Sequence, residues 1–339
     1  MAGHGADSSL KAVFVAVFVN ALITLAKYAG WFVTASPALL AEAIHSTADV
    51  GNQVLLWIGI RQGQRVADEE HPYGWGPARY LWNLKSAMGI FFLGCGVTLY
   101  HGLHALFVGG EHEEIGHTAE LVGLGILAGS LVLESLSLAV AYKEVRQAKG
   151  EQSWREFLWE GDDPTGVGVL LEDLMAVLGV LLALLGYGLS KLLHHPLPDA
   201  LATVLIGLLL GWIAIYLARV NGRLLIGASV SKKQLQRIRE ALEADEIVER
   251  VVDLKTTILG HGRMRVKAEV DLYEKLMARR MREALKDDVR ELDQGQDPAK
   301  VLVDVVGRTI RITGAEIERL ERVIRSVAPT AVHIDLELI

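Results

Sequence analysis

The sequence predicts an α-helical membrane protein: a six-transmembrane-helix bundle followed by a C-terminal cytosolic α/β domain of ferredoxin-like type. Three observations predict it. The 339 residues are 51% hydrophobic and only 22% charged, with a mean hydropathy of +0.30. Apolar residues crowd the first two-thirds of the chain and charges crowd the last third. Six segments are also long enough, at about 20 apolar residues, to cross a hydrocarbon core.

Those segments are 12–34, 38–60, 82–108, 119–142, 165–188 and 198–219, separated by polar, Gly- or Pro-containing turns. The first has no small-residue cleavage site after it and reads as a retained span. The leader MAGHGADSSL has no Arg, which argues against a mitochondrial presequence. Basic residues set the orientation. Arg61, Arg65 and Arg79 lie after the second span, Lys143, Arg146, Lys149 and Arg155 after the fourth, and Arg219, Arg223, Lys232 and Lys233 after the sixth. The opposite loops hold only Lys191. A multi-pass protein of the plasma (inner) membrane with both termini cytoplasmic is expected.

The predicted domains are 1–221, spanning the membrane, and 222–339, soluble. In the second, SKKQLQRIREALEA reads as an amphipathic helix. IVERVVDLKTTIL and MRVKAEVDL read as strands joined at Gly260-His261-Gly262. YEKLMARRMREALKDDVREL is helical by period and DQGQDP ends it. KVLVDVVGRTIRIT fits strand or helix. GAEIERLERVIRSV is helical, and HIDLELI is a last strand.

A net charge of −7 without a basic patch argues against a nucleic-acid partner. The single cysteine, Cys95, excludes a disulfide framework or a cysteine zinc site. No GxxxxGK[ST] motif points to ATP-driven pumping, and no nucleophile–base arrangement points to an enzyme.

Ionisable groups inside a span are costly, so they mark function. In PALLAEAIHSTADVGNQ, Glu42, His45, Asp49 and Asn52 recur every three or four residues and share one helix face. His45 and Asp49 make a two-ligand half-site for a borderline cation such as Zn²⁺; a polar pair that glues helices is the plainer alternative. In the fifth span, Asp162 or Asp163 before Pro164 makes a helix start, and Glu172 and Asp173 follow. They are adjacent, so they point about 100° apart. Gly168, Glu172, Ala176, Gly179, Ala183 and Gly186 form a stripe of small residues, the kind that packs closely against another helix. Glu172 is therefore the expected inward ligand, with Asp173 a supporting or proton-carrying group, or the fourth ligand in place of water. The metal-site set is His45, Asp49, Glu172 and Asp173. Such ligands shed protons to bind metal, which is the chemistry of proton-coupled exchange around a midplane site. Zn²⁺ is the expected transported substrate and protons the counter-ion; Mn²⁺, Fe²⁺ or Co²⁺, or a metal-sensing scaffold without turnover, are the alternatives.

Other polar groups read more plainly. Lys27 and Lys85 are expected to snorkel or to be paired. Glu134 pairs with Lys27 or belongs to a proton path. Asn20 is expected between helices, and His101 and His104 at the membrane interface. Glu111, His112, Glu113, Glu114 and His117 form an acidic solvated loop. Along the last strand, His333, Asp335 and Glu337 share one face, and Val332, Ile334, Leu336 and Leu338 the other. His333, Asp335 and His261 could hold a metal, although a solvated strand face explains them as well.

Over nearly its full length the chain resembles the cation diffusion facilitator family, in the branch typified by mammalian zinc transporter nine and its bacterial relatives. The landmarks are SPALLAEAIHSTADVGNQ, ADEEHPYGWGPARYLWNLKSAMGIFFLGCGVTLYHGL, GDDPTGVGVLLEDLMAVLGV and GAEIERLERVIRSVAPTAVHIDLEL. The resemblance implies six spans, cytosolic termini, a ferredoxin-like C-terminal domain, a homodimer and metal–proton exchange. His45 and Asp49 match the family's second-span ligands. The fifth span departs from the wider family, which has a His-or-Asp-xxx-Asp pair there. The aligned pairs here are Gly168 and Glu172 or Val169 and Asp173, and the adjacent Glu-Asp is typical of the branch. Asp68 and His71 fall where some relatives bind a second metal, without enough further His for a strong site. His333 and Asp335 fall where some bind metal in the soluble domain.

Overall fold

The computed structural model describes residues 3–35, 37–108, 117–150, 153–160, 164–286, 290, 294 and 296–339. Asp162, Asp163 and the acidic residues 111–114 lie outside them. The chain divides into two compact units, Met1–Ile226 and Gly227–Ile339.

The first unit is helical. It comprises α1 (Gly3–Thr34), α2 (Pro37–Gly63), α3 (Ala78–Gly89) continuing through a π-helical stretch (Ile90–Val97) into α4 (Thr98–Phe107), α5 (His117–Lys149), the short α6 (Trp154–Glu160), α7 (Pro164–Leu193) and α8 (Leu197–Leu225). Helices cover all six apolar segments. Among the described residues, four helical stretches are long and apolar enough to cross a membrane: Ala78–Phe107, Leu121–Lys149, Gly166–Leu193 and Leu197–Leu225. The polar stripe explains why α2 is less apolar: it carries Glu42, His45, Asp49 and Asn52 within one helix.

Local chemistry sets the helix ends. α1 stops at Ala35, whose φ of 51° is left-handed and whose N–H donates to Trp31 O at 2.7 Å. Pro37 then opens α2, so the two helices form a tight hairpin. Packing between the helices relies on missing side chains. A Cβ at Gly207 would meet Leu99 at 2.9 Å, one at Gly211 would meet Cys95 Sγ at 2.9 Å, and one at Gly102 would meet Val204 at 2.8 Å. α8 therefore lies against the α3–π–α4 helix at backbone range, the device that replaces hydrophobic driving force in a bilayer. The expected small stripe of α7 does the same: Gly186 faces Ala202 and Gly168 faces Leu217, while Ala176 and Ala183 are buried.

The second unit has α9 (Lys232–Glu243), β1 (Val248–Gly260), β2 (Arg263–Leu272), α10 (Glu274–Ala284), α11 (Pro298–Val327) and β3 (Ala331–Leu338). Among the described residues the sheet has three strands in the order β1-β2-β3. β1 and β2 are antiparallel and β2 and β3 parallel, and the helices α10 and α11 between the latter two supply the long crossover that parallel pairing needs. Gly262, at φ 63°, makes the β1–β2 turn. The ambiguous KVLVDVVGRTIRIT is helix, continuous with the following segment in α11. Its alternation is incomplete, and Asp297 caps the helix by accepting from Ala299 N at 3.1 Å with Pro298 in its first turn. Ser231 likewise caps α9. Ile238, Leu242, Val266, Ala268, Val270, Leu320 and Ile324 are fully buried in the core. Ile334, Leu336 and Leu338 pack on that core, whereas Val332 of the same expected face is 42% exposed.

Candidate metal site

The α2 stripe faces its neighbours at every turn. His45, 3% exposed, holds Nε2 at 3.5 Å from Asp49 Oδ2, one turn along. Neither ring nitrogen has a hydrogen-bond partner among the described residues, nor does Asp49 Oδ1. Buried nitrogen and oxygen atoms left this way are costly unless something else binds them. One turn further, Asn52 donates through Nδ2 to Glu172 Oε2 of α7 and accepts at Oδ1 from Ser86 Oγ of α3. A small cavity lined by Asn52, Asn83, Glu172 and Asn221 adjoins this bridge.

Glu172 and Asp173 diverge as their adjacency requires. Glu172 turns to α2 and Asn52, whereas Asp173 Oδ2 accepts from Ser137 Oγ of α5 at 2.8 Å. Glu172 lies within electrostatic reach of both Asp49 and Asp173. Among the described residues, no three His, Cys, Asp or Glu side chains converge into a closed metal shell. His45 and Asp49 are brought together. Glu172 is held one step away by its amide partner, and Asp173 by its serine.

Lys27 is fully buried on α1, with Nζ 3.1 Å from Glu42 Oε2 and 3.4 Å from Glu134 Oε1. It donates to Ser46 Oγ at 2.8 Å as well. The pairing with Glu134 follows the sequence expectation. Glu42 and Ser46 were not anticipated as Lys27's partners, although their i, i+4 spacing along α2 was the available signal. Ser86 and Ser137 were also missed; no spacing pattern in their own helices points to Asn52 or Asp173. Lys85 Nζ lies 4.0 Å over the Trp82 ring. Gly179 of α7 faces Glu42, where a Cβ would sit 2.3 Å from Oε1.

The other candidates have protein partners. Asp68 accepts from His71 N and from Trp75 Nε1, both at 2.7 Å. The indole N–H holds the Asp68 carboxyl below its usual range, and the His71 ring stacks on Trp75. In the soluble unit, Arg265 Nε donates to Asp335 at 2.7 Å and Lys267 pairs with Glu337 at 2.9 Å. The last strand's carboxylates thus answer basic residues on β2, as cross-strand pairs do.

Comparison with known proteins adds an independent line. Residues 13–226 match the cation efflux transmembrane domain. The chain is 37% identical over 337 residues to proteins named proton-coupled zinc antiporter SLC30A9, mitochondrial, from Mus musculus and Homo sapiens. These alignments cover 97% of this chain, which spans only 58% of those relatives' length. It is 32% identical to metal tolerance protein C4 of Arabidopsis thaliana, over 97% of this chain and 73% of that protein. The expected plasma membrane is corrected by these matches, because the relatives at 37% identity are named as mitochondrial. Loop charge reports the side of a membrane a loop occupies and carries no information on which membrane it is. A helical unit with a polar stripe at its centre, matched by this domain over most of its length, settles the family: the chain belongs to the cation efflux family.

Proposed function

We propose that this chain is a secondary transporter that moves a divalent cation, Zn²⁺ first, across the membrane in exchange for protons. The observation that carries the reading is the His45–Asp49 pair. It is a buried imidazole and carboxylate one helix turn apart, 3.5 Å between nearest atoms, with atoms that nothing among the described residues satisfies. A nitrogen donor beside carboxylates suits Zn²⁺ better than harder ions.

In this reading Glu172 is the third ligand and reaches the ion by leaving Asn52, and Asp173 or water completes the shell. Ion entry displaces protons from these groups, and reprotonation releases the ion. The amide and serine partners then hold the carboxylates when no ion does. The names of the 37%-identical relatives, proton-coupled zinc antiporters, support both zinc and protons. The reading also takes α1, α2, α3–π–α4, α5, α7 and α8 as six crossings. It takes the unit from Gly227 as a ferredoxin-like variant and the working form as a homodimer.

The test is flux in proteoliposomes. A pH gradient is expected to drive Zn²⁺ accumulation, and Glu172→Ala to abolish it. Zn²⁺ binding without flux under any gradient contradicts the proposal.

A further inference from the structure

Lys27 is used by nothing in that mechanism. Its ammonium sits among one hydroxyl and two carboxylates from two other helices: Ser46 Oγ at 2.8 Å, Glu42 Oε2 at 3.1 Å and Glu134 Oε1 at 3.4 Å. Lys27 and Glu42 are both 0% exposed. The second oxygen of Glu42, Oε1, has no hydrogen-bond partner among the described residues. Glu42 lies three residues before His45, about 4.5 Å along the helix axis.

Two carboxylates and a hydroxyl around one point are an oxygen-only cation site. Such donors take hard divalent ions, whereas imidazole draws Zn²⁺. Here the occupant is the chain's own cation, held on a covalent stem. The carboxylates are offset by a charge that cannot leave, so a free ion gains little by entering.

We propose that Glu42, Glu134 and Ser46 form a second cation site beside His45–Asp49, closed by the tethered ammonium of Lys27, and that Lys27 thereby keeps hard divalent ions off the stripe. The proposal rests on the transport reading of that stripe. Lys27 is a specificity-determining residue that touches no transported ion. Without it, the two carboxylates are an uncompensated pair that a Mn²⁺ ion satisfies.

The experiment uses the full chain in detergent, with Mn²⁺ alone as probe and bound ion counted by electron paramagnetic resonance. Lys27→Met is expected to bind one more Mn²⁺ per chain than the parent. The added ion is expected to vanish in the Lys27→Met/Glu134→Gln double variant, and Lys27→Arg to behave as the parent. Should the methionine variant fail to fold, Lys27→Gln, which keeps a donor for Glu42 and Ser46, gives the same readout. A folded Lys27→Met or Lys27→Gln chain that binds no additional Mn²⁺ overturns the proposal, because a merely structural lysine would destabilise without creating a site. So does loss of Zn²⁺ binding in Glu134→Gln, which would make Glu134 a ligand of the transported ion. Zn²⁺ titration of His45→Ala reports on the transport reading separately: retained affinity there overturns that reading and leaves the Mn²⁺ count to be judged alone.

Discussion

Replacing Gly179 by Ala adds one methyl where α7 packs against Glu42 of the α2 stripe. Its Cβ would fall 2.3 Å from Glu42 Oε1 and 3.3 Å from the carboxyl carbon. That is roughly 1 Å inside ordinary van der Waals contact. Glu42 is the far end of a flexible side chain, but it is not free to swing, because Lys27 holds its other oxygen at 3.1 Å in a fully buried pair. Either the ion pair opens or α7 moves back from α2. Overpacking of this kind costs about 1–3 kcal/mol, against a helix-propensity gain of at most about 1 kcal/mol for Gly→Ala. Gly188, on the same helix with nothing within 4 Å of its Cβ position, isolates the propensity term. The two variants should therefore differ by about 1–3 kcal/mol. At about 2–4 °C per kcal/mol for a domain of this size, Gly179→Ala should melt roughly 2–12 °C below Gly188→Ala. The assay is thermal unfolding of the detergent-solubilised full chain. Equal melting of the two variants, or a Gly179→Ala chain more stable than the parent, refutes the close packing of Gly179 on Glu42.

Two further predictions follow from other parts of the chain. Asn52→Ala removes the amide that joins Ser86 to Glu172; because Glu172 must leave Asn52 to reach the ion, the loss should tighten Zn²⁺ binding by up to about tenfold, the ~0.5–1.5 kcal/mol of one hydrogen bond, and weakened affinity in a competitive titration counts against the Asn52 role. In the soluble unit, Arg319 donates to both Asp245 oxygens, at 2.5 and 2.7 Å, and to Glu316 at 2.7 Å. These hydrogen bonds hold the Asp245 carboxyl below its usual 3.8, against the opposing effect of burial. A depressed carboxyl stabilises the folded state above its unfolded value near 4 and loses that contribution as pH falls through the folded value. Protection of α11 and β1 amides in the full chain, measured by hydrogen exchange relative to the intrinsic rate at each pH, should therefore fall on acidification below about pH 4. Arg319→Ala should lower that protection already at neutral pH, by about 1–3 kcal/mol, and flatten its acid dependence.

The stripe on α2 was legible because helical spacing is a property of one segment. Glu42, His45, Asp49 and Asn52 fall on one face whatever packs against them. The choice of Glu172 to face α2 was legible for a related reason, since small residues at helical spacing announce close approach. Which helices meet was not legible. Ser86 and Ser137 became partners of Asn52 and Asp173 through tertiary placement that spacing does not encode, and Glu42 as a partner of Lys27 depended on the α1–α2 hairpin. Lys27 with Glu134 could be guessed only because buried opposite charges seldom stay apart. In the soluble unit, KVLVDVVGRTIRIT was undecidable from pattern, as short apolar runs are, and the Asp297 cap with Pro298 decides it. The compartment was misjudged because loop charge is blind to membrane identity and because a leader without Arg was taken to argue against mitochondria.

In the proposed transport cycle the α2 stripe and Glu172 together hold the ion. Anomalous diffraction at the zinc edge, on Zn²⁺-soaked crystals of the full chain, tests it most directly. The predicted result is a peak at the His45–Asp49 pair, about 2.0–2.2 Å from a His45 nitrogen, an Asp49 oxygen and a Glu172 oxygen, with Glu172 released from Asn52 and Asp173 still on Ser137. A peak ligated by Asp173 in place of Glu172, or strong zinc density that leaves His45 uncoordinated, contradicts it.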